Sequence, residues 1–113
     1  MKLPNRDRIN QEQIIEKLTT YALNFQHTDG KHKARLFNAK LGITLNNKEK
    51  LIKAIFNAVN TESVSYTTTS KYGYKYVIDF IMETEVGRSK IRSAWIITFK
   101  EDYPRLTSIY PIQ

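Results

Sequence analysis

The sequence predicts an α+β domain in which about three N-terminal helices pack on one face of a four-stranded antiparallel meander sheet. Three observations carry that expectation. Through the first sixty residues apolar side chains recur at spacings of three and four, the period of a helix with one buried face. From Ser63 onward the pattern changes to alternation among β-branched and aromatic residues, as strands require. The links between the strand segments are short, which favours antiparallel hairpins over parallel crossovers. Helices first and strands afterwards give a segregated α+β layout.

Taken in order, Asn10 to Asn24 carries Ile14, Ile15, Leu18, Tyr21, Ala22 and Leu23 on one face and predicts the first helix. A polar break at Gln26 to Lys31 follows, with Thr28 or Asp29 placed to cap a second helix from about Lys31 to Leu41. Gly42 stands where a helix end needs a left-handed residue. A third helix follows Asn46 or Asn47, its stripe being Leu51, Ile52, Ile55, Phe56 and Val59. Strands are expected over Ser63 to Thr69, Tyr74 to Met82, Lys90 to Phe99 and Leu106 to Ile112.

Length and composition bound the functional classes. The 113 residues suit one domain, 1–113, with no second domain. With 41% hydrophobic and 12% aromatic residues, a core can form and wholesale disorder is not expected. The absence of cysteine excludes a disulfide framework, thiolate zinc sites and a cysteine nucleophile, and it suits a reducing compartment. No apolar run is long enough for a membrane span, and the first residues lack the apolar core of a signal peptide. A cytoplasmic protein without membrane contact is the expectation.

The net charge of +7, from 18 basic and 11 acidic side chains, points to a polyanionic partner, RNA or DNA before acidic protein. It is concentrated. Between Lys31 and Lys53 seven cations face one acid, Glu49, so this stretch alone carries +6. For Lys48, Lys50 and Lys53 the ordinary reading is a solvated helix face. Lys31, His32, Lys33 and Arg35 crowd the predicted first turn of the second helix, where cations oppose the helix dipole and a bound phosphate would offset them. Helical spacing puts His32, Arg35, Leu36 and Ala39 on one face beside the buried edge of Ala34, Phe37 and Leu41. His32 is a candidate acid or base, although an idle surface histidine is commoner. His27 is read as an ordinary loop residue.

In the third strand Lys90, Arg92 and Ala94 alternate with Ile91, Ser93 and Trp95, which makes Trp95 more often core than a base-stacking platform. In the fourth, Arg105 and Thr107 share a parity, so Arg92, Arg105 and Thr107 would meet on one polar face if the strands pair as a hairpin. Tyr110 is open to two readings, core or site. Clustered carboxylates for a metal-dependent nuclease are weakly represented, by Asp79, Glu83 and Glu85 alone. There is no Gly-rich phosphate loop, Ser-His-Asp context or paired zinc histidines. What remains is a site without metal or cofactor, built from histidine, lysine, arginine and hydroxyls.

Such a set suits RNA cleavage by attack of the 2′-hydroxyl on the adjacent phosphorus, which needs a base, an acid and cations around the phosphorane. His32 is the expected base or acid; Lys33, Arg35 and Arg92 are the clamp; Thr107 or Tyr110 donates hydrogen bonds. Lys31, Lys40, Lys90 and Arg105 are the expected RNA-binding cations.

Gly30-Lys-His-Lys-Ala-Arg-Leu-Phe, Leu41-Gly-Ile-Thr, Tyr76-Val-Ile-Asp-Phe, Ile91-Arg-Ser-Ala-Trp-Ile and Pro104-Arg-Leu-Thr-Ser-Ile-Tyr resemble a bacterial domain family of unknown function. Its members look like small standalone proteins or the C-terminal tips of polymorphic toxins. That context resembles the metal-independent ribonuclease superfamily of barnase, EndoU, colicin nucleases and RelE. The resemblance implicates His32, Lys33, Arg35, Arg92, Thr107 and Tyr110, and it implies a toxin held by a cognate antitoxin or immunity protein. Ala94 departs from the pattern, which often has glycine before the tryptophan. The expected function is therefore a metal-independent endoribonuclease of toxin type. The alternative is a non-catalytic RNA-binding or ribosome-associated module using the same basic face. An immunity protein to a nuclease mimics the acidic substrate, and a charge of +7 argues against that third reading.

Overall fold

Three helices precede four strands in the computed structural model, which describes residues 1–112. A 3-10 turn at Arg6–Arg8 leads into α1, Gln11–Lys17, whose N-cap Asn10 accepts a hydrogen bond from the Glu12 amide at 2.9 Å. The helix widens into a π-turn over Leu18–Ala22, closed by the Leu23 amide on the Leu18 carbonyl at 2.9 Å. Helix α2 runs over Gly30–Leu41. It ends at Gly42, whose φ of 66° lets its amide and that of Ile43 reach back to Asn38 and Phe37. A short 3-10 turn at Leu45–Asn47 carries a capping box between Thr44 and Asn47 and opens α3, Lys48–Thr61. The third helix thus follows Asn47, as its sequence pattern predicts.

The strands are β1, Tyr66–Thr69; β2, Gly73–Glu83; β3, Arg88–Thr98; and β4, Arg105–Pro111. They form an antiparallel sheet in the order β1-β2-β3-β4, the expected meander. One face of β2 and β3 is buried: Tyr76, Ile78, Phe80 and Met82 beside Ile91, Ser93, Trp95 and Ile97. Against it pack Ile14 and Leu18 from the first helical segment, Phe37 and Leu41 from α2, and Leu51 and Ile55 from α3. Trp95 is core, 1% exposed. Its indole N–H donates to the Ser93 hydroxyl at 3.0 Å, which donates to the Ile78 carbonyl at 2.8 Å, so both buried polar groups are satisfied. Among the described residues no helix is long and apolar enough to cross a membrane.

The pairing of β3 with β4 contains one irregularity that redirects a whole strand. Ala94 lies across from Ser108 while Trp95 lies across from Leu106, so Thr107 is the extra residue of a β-bulge. Beyond that bulge the parity of β4 reverses. Leu106, Ile109 and Pro111 face the core, whereas Arg105, Ser108 and Tyr110 are only half-buried. An unbroken alternation from Arg105 and Thr107 would have put Ile109 on their polar face; the bulge turns it into the core instead.

Candidate functional site

A chain of polar side chains crosses the margin between the sheet and α2. It begins on β2 with Asp79, which lies across from Arg92 of β3. Arg92 donates two parallel hydrogen bonds to its carboxylate, each 2.9 Å. The carboxylate is well shielded, with 12% of its side chain exposed, against 42% for Arg92. The hydrogen bonds and the charge of Asp79 hold the guanidinium more firmly protonated than a free arginine, and Tyr110 adds to the same effect. Tyr110 is the residue across from Arg92 on β4. From the helix side, Lys33 places its ammonium 5.3 Å from the centre of the Tyr110 ring and 4.5 Å from that of Tyr21. Lys33 also donates a hydrogen bond to the Tyr21 hydroxyl. The Lys17 ammonium lies 5.5 Å from the centre of the same Tyr21 ring.

The positions follow from local structure. Lys33 flanks the buried edge of Ala34 and Phe37, so its long stem runs along the core margin while its head reaches the edge strand. Tyr21 sits in the π-turn, and Gly30 lets α2 approach it: a Cβ on Gly30 would stand 2.1 Å from the Tyr21 carbonyl oxygen. The set holds three cations, Lys17, Lys33 and Arg92, against one carboxylate, Asp79, and presents two phenols. An anion such as a phosphodiester would find charge and hydrogen-bond donors here together.

The other expected site residues lie elsewhere. His32 and Arg35 are exposed, as are Leu36 and Ala39, so this face looks to solvent rather than to the core margin. Neither His32 nor Arg35 makes a hydrogen bond, ion pair or ring contact among the described residues. Thr107 is exposed on the bulge, where its hydroxyl donates to the Ala94 carbonyl at 3.0 Å. Arg105 pairs across from Ile96, four residues along β3 from Arg92, or about 13 Å at the rise of a strand. It bonds the Tyr103 hydroxyl at 3.1 Å and Glu101 at 3.6 Å. Arg92, Arg105 and Thr107 therefore do not converge. Lys31, Lys40 and Lys90 are half-buried and carry no carboxylate partner among the described residues.

The helix N-terminus also differs from expectation. Neither Thr28 nor Asp29 caps α2. His27 does: its Nδ1 accepts from the amides of Asp29 at 3.0 Å and Gly30 at 2.9 Å, and its carbonyl accepts from Lys31 at 3.0 Å. The amides of Asp29, Gly30 and Lys31 are thus occupied by the protein itself. With Nδ1 as the acceptor, the neutral ring carries its proton on Nε2. The ring also meets Tyr21 edge to face at 4.9 Å.

Tyr21, Lys17, Asp79 and His27 are the participants that sequence reasoning missed. Asp79 was within reach, because a hairpin turning at Thr84 to Gly87 sets it opposite Arg92. Tyr21 had no such signal, since its contact depends on how two helices dock. Among the described residues no three His, Asp or Glu side chains are grouped to hold a metal ion.

No curated protein and no solved structure matches the chain. A family model does match, over residues 2–113, and on that basis the chain belongs to the family described as a domain of unknown function, DUF6883.

Proposed function

We propose that the protein is a metal-independent endoribonuclease of toxin type, with RNA held at the Tyr21, Lys33, Tyr110 and Arg92 cluster. The observation that carries this reading is the convergence of the Lys33 ammonium on two tyrosines beside the Arg92 guanidinium. In the reaction the 2′-oxygen loses its proton to a base and bonds to phosphorus. The bond from phosphorus to the 5′-oxygen then breaks, and an acid protonates that oxygen. The products are a 2′,3′-cyclic phosphate and a 5′-hydroxyl. Lys33 and Arg92 would stabilise the phosphorane charge; of Tyr21 and Tyr110, one as phenolate would take the 2′-proton and the other as phenol would protonate the 5′-oxygen, the pair returning to its starting state by proton exchange with water. His32, Arg35, Lys31, Lys40 and Lys90 would extend the basic surface along the RNA. The resemblance to toxin C-termini supports a restraining antitoxin or immunity protein as a partner.

A second reading, a non-catalytic RNA-binding module, is favoured by one specific feature. Both oxygens of Asp79 accept from Arg92, so the one carboxylate of the cluster is not free to act as a base, while Arg92 and Lys33 keep further N–H donors for a phosphate. Incubating the purified protein with single-stranded RNA in excess chelator separates the two. Cleavage to cyclic-phosphate ends, lost in Lys33→Met, supports the nuclease. Salt-sensitive binding without cleavage supports the module. RNA neither bound nor cut contradicts both.

A further inference from the structure

Aromatic rings stand uncovered at the end of the sheet where β2 begins and β3 finishes. Tyr74 and Phe99 continue the side of those strands that takes Tyr76 and Ile97 into the core, yet they are 49% and 59% exposed, because the helices do not extend over them. Their rings meet edge to face, 5.4 Å between centres. Tyr72 stands at the same end, 64% exposed, with its carbonyl accepting from the Phe99 amide at 3.1 Å. The turn that presents it is tied down, since the Ser70 hydroxyl oxygen accepts from the amides of Tyr72 and Gly73 at 3.1 and 3.3 Å. Large apolar side chains grouped in the open mark a binding surface, whereas single scattered ones need no cause.

A hollow of about 430 Å³ opens here, lined by Lys71, Tyr72, Thr98, Phe99, Lys100 and Glu101. That size lies within the range of small-ligand sites. Its charges do not cancel. Glu101 is engaged on its far side, accepting from the Thr98 and Tyr103 hydroxyls at 3.3 and 2.9 Å and pairing with Arg105 at 3.6 Å. The neighbouring Asp102 is paired with Arg8. Lys71 and Lys100 have no carboxylate partner among the described residues, and the Lys71 ammonium lies 5.2 Å from the centre of the Tyr72 ring. Two unmatched cations therefore flank the exposed rings.

We propose that this end of the sheet is a stacking platform for the bases of a single-stranded nucleic acid, with Lys71 and Lys100 on its phosphates. Lysines alone would suit any polyanion, and rings alone would suit many apolar partners. A polyanion that carries flat π faces fits the two together. The platform deepens the RNA reading and rests on it for the choice of RNA as the strand, but it does not require cleavage. Tyr74 lies five residues along β2 from Asp79, about 17 Å at the rise of a strand. It is thus a contact separate from the Lys33 cluster, and a very short RNA held there would not reach it.

The test uses the full chain and a labelled, unstructured RNA of about ten nucleotides, within the site size of single-strand binders. Methylating its 2′-oxygens prevents cutting, and fluorescence anisotropy reads the binding. The single strand should bind more tightly than a blunt duplex of the same length. Tyr72→Ala and Phe99→Ala, both at exposed positions that leave the core intact, should each weaken it by about 5- to 100-fold, while Phe99→Trp keeps a stacking ring and preserves binding. Lys71→Met and Lys100→Met should each reduce the slope of log affinity against log salt by about 0.7. If both alanine variants bind as the wild type does while Lys33→Met binds weakly, the platform is overturned and the RNA reading stands. Binding that depends on Phe99, with no cleavage of the unmethylated RNA, upholds the platform and contradicts the nuclease. No binding of RNA by the wild type overturns both. A polyglutamate probe weakened equally by Phe99→Ala overturns the platform by giving the surface to acidic protein.

Discussion

Two faces of helix α2, one residue apart in sequence, behave as different chemical environments. His32 and Arg35 look into solvent and make no hydrogen bond, ion pair or ring contact among the described residues, whereas Lys33 reaches over two aromatic rings toward Arg92. A single residue step turns a helical side chain by about 100°. That rotation is enough to separate a solvated cation from one whose position is fixed by packing. The lesson is that the run of positive charge in Lys31 to Arg35 is not one site. Only the cation on the flank of the buried stripe is held by tertiary structure, and held groups are those that can meet a ligand without first paying for their own ordering.

The sharpest way to break this comparison is to exchange the roles of its two sides. Lys33→Met keeps a stem of similar length and removes the ammonium; RNA cleavage should fall by about 10² to 10³, measured as initial rate under saturating RNA. Tyr110→Phe removes one hydroxyl from the same centre and should cost on the order of tenfold to a hundredfold, with little change in thermal stability. Gly30→Ala acts indirectly. Its new methyl group meets the Tyr21 backbone, so overpacking should destabilise the fold by about 1–3 kcal/mol in denaturant titration and loosen Tyr21 from Lys33. The smallest effect is expected on the solvent face, where His32→Ala should change cleavage by less than about threefold, as expected for loss of a residue with no fixed partner. If His32→Ala instead matches Lys33→Met, the distinction between the faces collapses and the histidine returns as the acid or base.

How far the sequence reached can be judged from these same residues. The helices and strands were legible because each buries a face whose period shows in the chain: Phe37 and Leu41 in α2, Ile91 and Trp95 in β3. Gly42 was legible because only a left-handed residue closes that helix end. The bulge at Thr107 was not, since an inserted residue leaves no mark in the alternation until the pairing is known, and it changed the neighbours of Arg105 and Tyr110 together. His27 was passed over because a ring nitrogen capping a helix follows none of the usual cap residues. Of the candidate site, Lys33, Arg92 and Tyr110 were named from sequence and lie together, while His32, Arg35, Arg105 and Thr107 were named with them and lie apart.

The central claim is that RNA meets the protein at the Lys33 flank. Its most direct measurement is a nuclear magnetic resonance titration of isotope-labelled protein with a short RNA whose attacking 2′-hydroxyl is removed, so that it binds without being cut. The account predicts the largest shifts at the Lys33 ammonium, the Arg92 guanidinium and the Tyr21 and Tyr110 rings, with smaller shifts at His32 and Arg35. Shifts confined to Lys48, Lys50 and Lys53, or centred on His32 with Lys33 and Arg92 unmoved, would contradict it.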